Sequence, residues 1–214
     1  MTEKNEIKSC VIAGLETALD QYMVENSFRR SSSGLTYKRK LNGASQKVSI
    51  LIEMHPKDDP NAAAAIYPQM EVLIPDVDEV LEEMVGPNLG LLEGITAGIS
   101  RQPIGFISEK IHHGRWYLYQ PDSVPGTVED IRSFMERWTI PFLDRYATPE
   151  DVVAADEGKD GRLARDRAQM MRVVAASLVC GRRDYARGLM ERHFGAPGAR
   201  RRYQQVFEYI QQAV

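Results

Sequence analysis

Cysteine is scarce in this chain. Two residues, Cys10 and Cys180, among 214 make no disulfide framework, and neither belongs to a CxxC pair. Both fall on or beside apolar helical stretches, which reads as the placement of small hydrophobes. Histidine is nearly as rare, with four residues and no HExxH or HxH spacing, so no metal centre is expected. His112 and His113 on a strand point to opposite faces and cannot chelate one ion together. His55 beside Asp58 and Asp59 offers a weak cation site, though loop polarity explains it equally well. With 16 glycines and 11 prolines, the chain is neither collagen-like nor disordered. Apolar runs extend only a few residues, which excludes a membrane-spanning helix. The start, MTEKNEIKSC, carries acids where a secretory signal needs a basic-then-apolar stretch, so a cytoplasmic protein is expected.

The motifs of nucleotide and acyl chemistry are missing too. No GxxxxGK[ST] occurs, no GxGxxG follows a strand, and GxSxG is absent. Gly86, Gly90, Gly94 and Gly98 recur every four residues but lack the lysine and the strand–loop–helix setting that hold phosphate. Paired carboxylates are plentiful, yet none falls in an evident apolar pocket that would raise its pKa. No cofactor is implied.

What the chain does have is segregated charge. Its net charge of −3 hides a C-terminal segment, residues 159–214, with 12 basic and 5 acidic side chains. Between Asp58 and Glu83 stand eight carboxylates and no cation. Such blocks steer a charged partner, solvate a face, or meet each other inside one molecule.

Periodicity supplies the elements. Ile7, Val11, Leu15, Ala18, Leu19 and Tyr22 place an amphipathic helix over 4–25. Leu35, Tyr37, Arg39 and Leu41 alternate with Thr36, Lys38 and Lys40. Asn42-Gly43 follows, and then Val48, Ile50, Ile52 and Met54 alternate in turn. This is a β-hairpin closed by a type I′ turn, with one apolar and one cation-bearing face. A third strand through Ile66, Met70, Val72 and Ile74 ends at Pro75, and a short helix opens at Asp76. Residues 86–108 read as loops with at most one short strand, and 111–120 as an aromatic-rich strand. Thr127 with Asp130 suggests a capping pair before a helix that Pro141 kinks or ends. Thr148-Pro149-Glu150-Asp151 starts another helix. Two more follow, the first closed by Gly181 and the second by Gly195, and the last helix uses Tyr203, Val206, Phe207 and Ile210. The expected fold is α+β: an antiparallel sheet of about four strands flanked by helices, with a domain over 1–148 and a helical region over 149–214.

The order of these segments, with Ser27-Phe28-Arg29-Arg30, the Tyr37 strand, the Ile74-Pro75 step, Trp116, Leu178-Val179-Cys180-Gly181-Arg182 and Ala186, resembles small bacterial domains of unknown function. Some of those lie among toxin–immunity proteins. The resemblance brings no catalytic residues with it. It implies a cytoplasmic protein that binds another protein without catalysis, an immunity protein that inhibits a basic toxin being one case. Asp76, Asp78, Glu79, Glu82 and Glu83 are the candidate charged rim; Trp116, Tyr117 and Tyr119 are candidate anchors, if they are not ordinary core. Two alternatives stand beside this reading. One is a small enzyme whose residues meet only in the fold. The other is a nucleic-acid or phosphate binder using Arg162, Arg165, Arg167, Arg172, Arg182, Arg183, Arg187, Arg200, Arg201 and Arg202.

Overall fold

The structure, a computed structural model, describes residues 3–32, 34–86, 99–103, 107–108, 114–162 and 166–212. The chain is α+β. Among these residues the strands β1 (Arg29–Arg30), β2 (Thr36–Leu41), β3 (Ala44–Met54), β4 (Ala64–Leu73), β5 (Ile99–Pro103) and β6 (Trp116–Leu118) form one sheet. Its order is β1-β2-β3-β4-β5, and β6 also pairs with β4. Two of its pairings are antiparallel, with Arg30 facing Tyr37 across β1–β2 and Ala65 facing Tyr117 across β4–β6. β5 falls where the sequence allowed one short strand, whereas β1, two residues long, is too short to carry an alternation of its own.

The helices are α1 (Glu3–Glu25), α2 (Pro75–Val85), α3 (Val124–Phe134), α4 (Ile140–Arg145), α5 (Pro149–Glu157), α6 (Arg167–Val179), α7 (Arg183–Phe194), α8 (Pro197–Arg202) and α9 (Gln204–Gln212). None, among the described residues, is long and apolar enough to cross a membrane.

The chain divides into two compact units. The first takes Met1–Lys40, Ser45–Glu71 and Gln102–Arg145; the second takes Leu41–Ala44, Val72–Arg101 and Tyr146–Val214. In the first, α1 buries Val11, Leu15, Leu19 and Met23 at helical spacing. The hairpin turn is as expected, with Asn42 at φ 50° and Gly43 at φ 88°. Its buried face, however, is not wholly apolar, because Arg39 and Gln46 lie in it beside Tyr37 and Val48. Arg39 Nε donates to Gln46 Oε1 at 2.7 Å, Nη1 to the Asn26 carbonyl at 3.1 Å, and Nη2 to Asp144. The guanidinium also lies 4.5 Å from the Phe28 ring centroid. Gln46 Nε2 completes the set on the Leu143 carbonyl at 2.6 Å. A buried cation is tolerated here because its donors are matched.

Two helix boundaries differ from expectation. Thr127 and Asp130 do not cap a helix, since α3 already begins at Val124, with Pro125 in its first turn. Proline there costs no hydrogen bond and presets φ. The expected break at Pro141 appears upstream as a π-helical turn, Met135–Thr139. The Ile140 N–H reaches back five residues to the Met135 carbonyl. Pro141 has no N–H to offer, and the wider turn relieves its clash with the carbonyl four residues before it.

In the second unit α2 packs on α6 and α9, and α6 on α5 and α7. The core holds Leu81, Met84, Val152, Met171, Val174, Leu189 and Val206. The capping box at Thr148 is complete: Thr148 Oγ1 accepts the Asp151 N–H at 3.2 Å, and Asp151 accepts the Thr148 N–H at 2.9 Å. After α6 the Arg182 N–H bonds the Ser177 carbonyl and the Gly181 N–H that of Leu178, with Gly181 at φ 70°. That is a Schellman closure with glycine where it is easiest.

Candidate functional site

The expected charged rim lies on α2. Pro75 opens this helix directly after β4, and Asp76, Glu79, Glu82 and Glu83 are exposed along it. Asp78 is different. Its carboxylate accepts from Arg172 Nη1 at 3.0 Å, and the Arg172 side chain is only 2% exposed. Burial raises the Asp78 carboxyl above its ordinary value, with the guanidinium pulling the other way. Glu83 accepts from the Tyr209 hydroxyl at 2.7 Å, which with burial pushes that phenol up to about 12. The other three carboxylates of the five, Asp76, Glu79 and Glu82, face water.

The expected anchors lie in the first unit, on and beside β6. Strand alternation separates them. Trp116 turns inward, 8% exposed, with its ring edge-on to Phe134 at 5.4 Å and 80°. Tyr117 and Tyr119 take the opposite face with Arg115. Tyr117 donates to Asp58 at 2.7 Å, and Tyr119 donates to Asp59 at 2.7 Å. Arg115 Nη1 bonds Asp58 at 2.9 Å and Glu53 at 3.4 Å, and its guanidinium stacks 4.8 Å over Tyr67. Tyr119 stays 53% exposed. The carboxylates raise both phenols above their ordinary value, while the Tyr117 bond draws Asp58 down. The roles of Arg115, Asp58 and Asp59 in this array escaped the sequence reading. The signal was the shared parity of 115, 117 and 119, since what meets them is set by how the 55–63 loop folds back.

On the inward side of β6, a hollow of about 230 Å³ is lined by Trp116 and Trp138 with Asp130 and Arg137 at its rim. The π-helical turn sets Arg137 and Trp138 here, and such turns recur at functional positions.

The arginine-rich end spends much of its charge internally. Arg162 pairs with Asp160, Arg172 with Asp78, Arg182 with Glu157, Arg187 with Asp184 and Arg200 with Glu191. Arg165 lies outside the described residues, as do His112 and His113. His55 is exposed at φ 53°. No cluster of three or more His, Cys, Asp or Glu able to hold a metal occurs among the described residues. Cys10 is exposed rather than packed, because its position on α1 turns away from Val11 and Leu15. Cys180 is half-buried, its thiol pushed up to about 11 chiefly by desolvation.

These features define an α+β protein with an acidic helix face on one unit and a tyrosine–carboxylate array on the other. No family model, no curated protein and no solved structure matches the chain.

Proposed function

We propose that this protein binds another protein and does not turn over a substrate, and that its partner is basic. The observation carrying this reading is the Arg115–Tyr117–Tyr119 array. Tyrosine and arginine are the side chains that most often anchor interfaces. Here Tyr119 is exposed while its hydroxyl is already fixed on Asp59. A ring held in place loses little freedom on binding. Around it Glu53, Asp58 and Asp59 outnumber Arg115, so the local field favours a cationic partner. The exposed Asp76, Glu79 and Glu82 of α2 add a second acidic surface on the other unit. Acidic surfaces of this kind speed capture of basic proteins. A toxin held inactive is the finer form of the proposal, motivated by the family resemblance of the segment order. The nucleic-acid alternative draws less support, because five C-terminal arginines are already matched by carboxylates.

The test is affinity capture from the native host by the wild type, Tyr119→Ala and the double variant Glu79→Lys/Glu82→Lys, each at low and high salt. The expected result is a stoichiometric basic protein, held more weakly by both variants and at high salt. Retention of nucleic acid alone, or of a partner indifferent to both variants, overturns the proposal.

A further inference from the structure

We propose that a groove between α5, α6 and α7 binds a small amphipathic anion: a phosphate or carboxylate head carried on an apolar body. The groove, about 510 Å³, falls within the range common for small-molecule sites. Its floor is Met170 and Leu189, 6% and 1% exposed. Tyr185, Leu189 and Arg192 recur at four- and three-residue spacing, so one face of α7 supplies a wall, part of the floor and a cation.

The groups that line this groove divide by commitment. Its acids are taken: Asp156 accepts from the Tyr185 hydroxyl at 2.7 Å, and both oxygens of Glu157 are held by Arg182. Arg182 also lies 4.9 Å over the Tyr185 ring. Its bases are not taken. The side chains of Lys159 and Arg192 line the groove and are exposed, and among the described residues neither donates a hydrogen bond nor joins an ion pair. His193 stands beside them, its ring against that of Phe194. With Glu157 cancelled by Arg182, the cations of Lys159 and Arg192 outweigh Asp156 among the described residues. An arginine fork and a lysine point charge above an apolar floor suit an anionic head on an apolar body.

The backbone adds a second, independent observation. Lys159 sits at φ 53°, directly after α5. Its N–H bonds the Asp156 carbonyl and the Asp160 N–H that of Ala155. This is the same closure that Gly181 makes after α6, with lysine in place of glycine. A side chain costs about 1 kcal/mol there, and strain of this kind concentrates at ligand sites. From this position Lys159 lines the groove.

The full chain is titrated calorimetrically with 1-naphthyl phosphate, 1-naphthoate, 1-naphthylmethylamine and inorganic phosphate. Both aryl anions are expected to saturate one site, the tighter identifying the head group. The amine is expected not to bind, and inorganic phosphate to bind at least about tenfold more weakly for want of an apolar body. Arg192→Gln and Lys159→Asn should each weaken the aryl anion about tenfold or more. Lys159→Gly should weaken it as well while raising the urea midpoint, which separates loss of the site from loss of the fold. The proposal is overturned if neither aryl anion saturates below about 1 mM, if the amine binds as tightly, or if all three variants bind like wild type. None of these outcomes bears on the protein-binding proposal, which uses other residues.

Discussion

Arg172 Nη1 donates to Asp78 Oδ1 across 3.0 Å, and this bond joins the acidic run to the arginine-rich end of the same chain. The two blocks of opposite charge are in part each other's counter-ions. Asp78 therefore belongs to the interior of the second unit, while its neighbours on α2 face water.

That division is measurable by chemical denaturation. Asp78→Asn takes one carboxylate away from a nearly buried guanidinium and is expected to cost about 3 kcal/mol. Glu79→Gln, one residue on and exposed, should stay within about 0.5 kcal/mol of wild type. Equal costs would show that the pair adds nothing to the fold.

Asp160 sets an acid limit on stability. It accepts from Tyr146 at 2.5 Å and from Arg162 Nε at 3.0 Å, and the Arg162 bond above all holds its carboxyl far below the usual range. A depressed carboxyl stabilises the fold above its unfolded value, near pH 4, and loses that contribution as the pH falls toward its folded value. Asp160→Asn should thus lower the unfolding free energy measured in urea by about 1.5–3 kcal/mol at pH 7, and by much less at pH 2. A deficit that is the same at both pH values contradicts the assignment.

Ser27 closes α1 as Gly181 closes α6. Its N–H bonds the Val24 carbonyl, the Phe28 N–H bonds that of Met23, and Ser27 sits at φ 66°. Ser27→Gly is expected to stabilise by about 0.5–1 kcal/mol, and Gly181→Ala to destabilise by about 1 kcal/mol. Thermal melts of the two variants should move in opposite directions.

The two thiols should react unequally. Cys10 is exposed, whereas the Cys180 thiol is half-buried and pushed up to about 11. The thiolate is the reactive form, so iodoacetamide at pH 8 should label Cys10 and largely spare Cys180. Peptide mapping that finds comparable labelling would contradict the placement of Cys180.

The hairpin, α1, the Thr148 capping box and the Gly181 closure were legible because each is local. Alternation, the Asn-Gly turn and helix caps act within a few residues, and the chain writes them directly. The candidate site was only half legible. The acidic run marked α2, but nothing near Asp78 in sequence tells it from Glu79; Arg172, 94 residues away, does. Likewise the aromatic run marked β6, and strand parity alone separates Trp116 from Tyr117 and Tyr119.

By itself, then, the sequence determined the α+β class, the hairpin, the main helices and the two blocks of charge, through short-range rules of backbone geometry and periodicity. Only the tertiary structure decided how those charges are spent. It buried Arg39 on Gln46 and Phe28, matched five C-terminal arginines to carboxylates, and left Lys159 and Arg192 unmatched among the described residues at one groove. A charge is neutralised by whatever lies within a few ångströms of it, and that neighbour is chosen by packing between segments far apart in the chain.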